Sequence, residues 1–101
     1  VTRLTSRPRY VYVAAAEFGP VKIGSSADPS KRASHVRWKR SGPFLTVRAT
    51  YLHADALRVE FAAHKILREK RRDGEREWFN CTVAEARAAI ERAIAEKDAK
   101  R

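Results

Sequence analysis

Apolar residues alternate with polar or aromatic neighbours from Tyr10 onward, at Val11, Val13, Val21 and Ile23. A period of two marks a half-buried strand, so strands are predicted over about 10–15 and 20–24. "AEFGP" between them ends in Gly19-Pro20, a turn signal, and joins the two as an antiparallel hairpin. Alternation puts the four apolar residues on the core side and sends Tyr10, Tyr12 and Lys22 to the other side, with both tyrosines near Lys22. Gly24 closes the second strand and leaves a point without a side chain before Ser25 and Ser26. There the backbone can approach a phosphate.

"SSADPSKRASHVRWKR" reads as a loop and then a helix, with Asp28 as N-cap and Pro29 at the first helical position; Gly42-Pro43 stops it. "FLTVRATYL" (44–52) alternates again and predicts a third strand. "ADALRVEFAAHKILREKRR" is helical, with Leu57, Phe61 and Leu67 on one broad apolar stripe. "DGEREWFN" gives a turn and a short extended piece. Thr82 and Glu85 form a capping box for a last helix, whose Ala86, Ala89, Ile90, Ala93 and Ile94 make a small-residue stripe able to pack on a sheet. The order ββαβα(β)α describes one α+β domain over 10–97, with a basic lead-in at 1–9 and a basic tail at 98–101.

Composition adds three things. A chain of 101 residues, 44% hydrophobic, suits one folded domain, and no apolar run approaches the roughly 20 residues of a membrane span. It opens on Val1 rather than Met and without a signal peptide, which reads as a trimmed chain or one domain of something longer. Cys81 is the only cysteine, so no internal disulfide or Cys-type zinc site can form, and a reducing, cytoplasmic setting is expected. Charge is the strongest signal: 22 Lys and Arg against 12 Asp and Glu leave +10. Such a field attracts polyanions, nucleic acid first among them; the plainer reading is a solubilising surface.

Against that background the polar residues of the hairpin gain interest. Arg32 falls early in the following helix with His35 nearly one turn on, and Glu60 and His64 are four apart on one helical face. A proton-moving group, a guanidinium and a carboxylate able to hold a divalent metal are the parts of phosphodiester hydrolysis. Each also has an ordinary reading. Strand tyrosines pack across strands, Arg32 is a solvated helix residue, and Glu60–His64 is a surface pair. Trp78 and Phe79 read as core plugs, Asn80 as a turn residue and Cys81 as a small buried hydrophobe; His53 has no assigned role.

"YVY", then "KIG", "SSADPSKR", "VEFAAHKIL" and "GEREWF" together resemble the GIY-YIG nuclease domain, in particular its T5orf172 and Mug113-type branch. The resemblance runs from about Tyr10 to Asn80. It implies a small, mainly antiparallel three-stranded sheet flanked by helices, and single-metal cleavage of DNA with Mg²⁺ or Mn²⁺. By position, Tyr12 matches the tyrosine ending the first motif, Lys22 the tyrosine opening the second, Arg32 the helix arginine and Glu60 the metal-binding glutamate. Asn80 answers to a late asparagine, and His35 lies near the helix histidine. The implied roles are metal binding for Glu60, transition-state stabilisation for Arg32, water positioning or deprotonation for Tyr12, and proton transfer or orientation of Glu60 for His64. Tyr10, Gly24, Ser25, His35 and Asn80 would lie against the nucleic acid, and Arg37, Lys39, Arg40, Arg68, Lys70, Arg71 and Arg72 would track its backbone.

Lys22 is the departure. A lysine at neutral pH is ordinarily an ammonium, unable to act as a base unless its surroundings lower its pKa. Otherwise it grips phosphate and leaves the proton to Tyr12, His64 or a water on the metal. The alternative function is a non-catalytic nucleic-acid-binding module of the same fold, and a third class is a protein-interaction domain using the Ala-rich last helix. A domain this small has little room for sequence readout, so any specificity is expected from a partner protein, a dimer or a fused domain.

Overall fold

The computed structural model describes residues 9–34, 45–72, 74 and 76–99. The basic lead-in up to Pro8 and the predicted stop at Gly42-Pro43 therefore lie outside the described residues. β1 (Tyr10–Ala15) and β2 (Val21–Ser26) pair antiparallel, with Tyr12 opposite Gly24 and Ala14 opposite Lys22. Gly19 in their connection has φ 102°, a conformation that favours glycine. α1 (Pro29–Ser34) opens on the predicted cap, the Lys31 N–H donating to Asp28 Oδ1 at 3.1 Å.

β3 (Thr46–Leu52), α2 (Ala56–Ile66), a 3₁₀ turn (Arg68–Lys70), β4 (Trp78–Phe79) and α3 (Val83–Ala99) follow. The sheet order is β3-β1-β2-β4 with every pairing antiparallel, so the domain is α+β with a fourth, two-residue strand on the far side of β2. That strand is the short extended piece expected before Asn80. The capping box forms as read: the Thr82 N–H donates to Glu85 Oε1 at 2.9 Å and the Glu85 N–H to Thr82 Oγ1 at 3.0 Å. Among the described residues no helix is long and apolar enough to cross a membrane.

The main core lies between the sheet and the helix pair α2–α3. Val11, Val13, Val21 and Ile23 meet Ala56, Val59, Ala63, Ala86, Ala89, Ile90 and Ala93, with Phe79 fully buried among them. Alanines on both helices permit close approach to the strands. Here the alternation in the sequence and the observed core agree.

The opposite face of the sheet departs from expectation. It is not solvated, because α1 packs across β1, β2 and β3. Tyr12, Ala14, Ala33 and Leu45 form a second, smaller core there, with Val47 and Trp78 against it. A bulge in the β1–β3 pairing at Val13/Ala14 lets Val47 serve this second core while Ala49 and Tyr51 pack on the first. Tyr12 is consequently only 1% exposed and Lys22 only 4%.

The second helix differs too. Leu57 and Phe61 are 51% and 55% exposed, while Val59, Glu60, Ala63 and His64 are buried. The buried face is thus rotated from the stripe of large apolar residues. α2 also stops at Ile66, because the chain tightens (Lys70 N–H to Leu67 O, 2.8 Å) and returns to pair Arg71 with Phe79. His53 fastens this helix at its start: its Nδ1 accepts the Asp55 N–H at 2.9 Å, and its Nε2 lies 3.0 Å from Asp98 Oδ1 on α3.

Candidate active site

Along β2, β4 pairs only Val21 and Lys22, so β2 has an open edge beyond them. At that edge the Ile23 N–H donates to Glu77 O at 3.0 Å, and the Ile23 carbonyl accepts from His64 Nε2 at 2.9 Å. By the alternation of an antiparallel ladder, the next main-chain groups to point outward are those of Ser25. A cleft of about 600 Å³ opens at this place. Tyr12 and Ser25 line it from the hairpin, Arg32 from α1, and Leu57, Glu60, Phe61, His64 and Lys65 from α2. Arg68 and Arg71 from the following turn, with Arg76 and Glu77 ahead of β4, complete the wall.

Glu60 is 3% exposed. Burial and, to a smaller degree, the nearby Glu77 carboxylate push its carboxyl above the usual carboxylate range; the Ser25 hydroxyl, hydrogen-bonded to it, pulls the other way, as do Lys22 and Arg9. His64 Nε2 lies 3.5 Å from Glu60 Oε2. Because the Ile23 carbonyl can only accept, Nε2 carries the proton and donates it there. Burial holds His64 below its ordinary 6.5, so the ring is neutral at neutral pH. The rings of Phe79 and Phe61 stand 5.2 and 6.2 Å from it, centre to centre. A histidine so held can orient the carboxylate beside it through Nε2–H, but that nitrogen has no free lone pair with which to take a proton.

Tyr12 reaches the cleft across Gly24. A Cβ on Gly24 would lie 2.8 Å from the Tyr12 hydroxyl and 2.9 Å from Cζ. Gly24 therefore makes room for the tyrosine, and the expectation that it ends the strand is corrected. β2 continues through it to Ser26. Lys22 is also placed differently from the sequence reading. Its ammonium pairs with Glu77 Oε1 and stands 5.7 Å from the centre of the Tyr12 ring, and it does not line the cleft.

The remaining expected residues divide. Arg32 and Ser25 line the cleft with Tyr12, Glu60 and His64. Tyr10 stands at the start of β1 opposite Ser26 and is not among the lining residues. Asn80 accepts from Arg72 Nη1 at 3.0 Å, and its N–H donates to Lys70 O at 2.7 Å; it sits beyond β4 as a turn residue, away from the cleft. His35, Arg37, Lys39 and Arg40 lie outside the described residues. Cys81 is half-buried, and burial raises its thiol pKa, as suits a packing residue.

Sequence reading did not single out Leu57, Phe61, Lys65, Arg76 or Glu77 for the site. For Glu77 a signal existed: a lysine on a strand whose neighbours are all buried requires an acidic partner. Lys65 and Arg76 look like any surface charge. Together Arg32, Lys65, Arg68, Arg71 and Arg76 set five cations around two carboxylates, and Lys22 neutralises one of those. The field favours an anionic ligand over an acidic floor.

Among the described residues no cluster of three or more His, Cys, Asp or Glu stands ready to cage a metal. Mg²⁺ does not require one, since it is commonly held by one or two carboxylates, waters and substrate phosphate. The Glu60 carboxylate, desolvated and flanked by the Ser25 hydroxyl, fits an ion shared with substrate in that way.

No curated protein and no solved structure matches the chain. The sequence profile of the T5orf172 domain matches residues 9–94, a span that takes in all four strands, most of α3 and every residue lining the cleft. The chain belongs to the T5orf172 domain family.

Proposed function

We propose that this domain is a GIY-YIG-type endonuclease that hydrolyses phosphodiester bonds in DNA. One observation carries the reading: a buried glutamate, a tyrosine and an arginine from three separate elements meet in a single cleft with a cationic rim. In the reaction, water attacks phosphorus, the bond to one sugar oxygen breaks, and that oxygen leaves with a proton. Glu60, with Ser25 beside it, would hold Mg²⁺ or Mn²⁺, which when bound neutralises charge on the phosphate oxygens. Arg32 stabilises the charge that develops on the pentavalent phosphorus. The Tyr12 hydroxyl positions the water or takes its proton. His64 is a positioning residue, its Nε2–H shared between the Ile23 carbonyl and the edge of Glu60. Lys22 acts through others: it holds Glu77 and lies against the Tyr12 ring.

Engagement of Lys22 by Glu77, at a position where the resemblance expects a tyrosine, favours a second reading: a DNA-binding module without turnover. Incubation of the full chain with plasmid and branched DNA in Mg²⁺ or Mn²⁺ separates the two. The nuclease reading expects cleavage that Glu60→Ala abolishes. Salt-sensitive binding without cleavage in any divalent metal would leave the binding module. Target choice would come from a fused domain or a partner protein, since so small a cleft leaves little room for base readout.

A further inference from the structure

We propose that Phe61 is a stacking platform for a nucleobase, so that the strand entering the cleft is unpaired beside the phosphate bound there. The proposal rests on the nucleic-acid reading of the site and not on its turnover. α2 carries Leu57, Phe61 and Lys65 at spacings of four, which places them along one face, and Arg68 follows in the 3₁₀ turn after the helix. All four line the cleft, and both apolar members are more than half exposed. Burial in the core therefore does not explain them. Nor does binding of a phosphate or a metal ion, because a phenyl ring has no hydrogen-bond donor for a phosphate oxygen and no lone pair with which to ligate a metal. What it offers is a flat π-face, and it offers it amid cations. A ligand with an anionic backbone and flat aromatic faces matches both properties.

The position is also suitable. Phe61 follows Glu60 in the chain, and its ring stands 6.2 Å from that of His64, so the platform adjoins the carboxylate floor. Lys65 on the same face and Arg68 in the turn beyond it also line the cleft and would take neighbouring phosphates. In a duplex each base face is already covered by the next base pair. A face becomes available to Phe61 only in a single strand, a gap, a frayed branch or a flipped nucleotide.

The test uses the full chain carrying Glu60→Gln, to suppress cutting, with a dye-labelled single strand, its duplex and an abasic version of the single strand. Phe61 is exposed, so Phe61→Ala should keep the fold, which a melting curve verifies. Phe61→Ala should weaken single-strand binding by about 5- to 100-fold, the usual worth of one base–aromatic stack. Duplex and abasic affinities should change by less than about twofold on the same reasoning. Phe61→Trp should restore binding, and its added fluorescence should be quenched by the single strand. Equal losses on single strand and duplex, or no loss on either, overturn the platform. If the parent protein binds no oligonucleotide at low salt, the nucleic-acid reading fails and takes the platform with it. Binding that depends on Phe61 in a protein that never cuts would sustain the platform and reject only the nuclease.

Discussion

Gly24 is defined by its neighbour. The Tyr12 hydroxyl occupies the space in which any side chain at 24 would begin, so a side chain there would push the ring tip out of its place beside the cleft. Gly24→Ala should therefore displace the hydroxyl, costing about 1–3 kcal/mol of stability from overpacking and at least about tenfold in cleavage rate if the hydroxyl positions water. Thermal melting and plasmid nicking measure the two effects separately. His64 gives a pH prediction. Burial lowers its folded pKa below 6.5, so under acid the unfolded chain takes up a proton that the folded chain resists. Its contribution to stability is present above 6.5 and is lost as pH falls through the lowered value. Glu60 has the opposite sign: raised above 4.5 by burial, it contributes fully below 4.5 and loses that contribution as pH rises through its raised value. Urea midpoints compared at about pH 5 and about pH 8 should show a smaller acid loss in His64→Gln than in the parent. Candidate chemistry at single residues was legible where a spacing is local: Glu60 and His64 share a helical face whatever the helix packs against. Phe61 was not, because periodicity locates an apolar stripe without saying which part of a helix meets the sheet.

Among elements, the hairpin, the Asp28 cap and the Thr82–Glu85 box were readable because each rests on bonds between residues close in sequence. The coverage of the Tyr12 face was not. It depends on a six-residue helix lying across three strands, a tertiary fact with no periodic signature. The same burial explains the Lys22–Glu77 pair, which bridges β2 to the segment before β4. Removing Glu77 strands a lysine inside the fold. Breaking a fully buried pair costs about 3–5 kcal/mol; with the Glu77 side chain 41% exposed, Glu77→Ala should cost less, about 1–3 kcal/mol. Lys22→Met should recover most of that loss in the double variant, as read from denaturant titration.

Over the whole molecule, the +10 charge favoured polyanions before any motif did, yet without saying where they would sit. The fold gathers five of those cations at one sheet edge. If Arg68 and Arg71 meet phosphates, replacing both by Ala should lower the slope of log affinity against log salt by about two, as measured by fluorescence anisotropy across a salt series. Other basic residues, replaced in the same way but distant from the cleft, such as Arg48 and Arg92, should leave the slope nearly unchanged.

β4 is only two residues long, and its brevity has a consequence for how such a domain can diversify. Two more rungs of ladder would pair Ser25 and close the cleft; two fewer would unseat Glu77 and free Lys22. Access to the floor therefore depends on how far this ribbon runs past Trp78 and Phe79, which are themselves anchored in the two cores. Splicing different segments between Arg72 and Trp78 would change how much of the Ser25 edge stays open, while the hairpin and the helix pair beneath remain as they are.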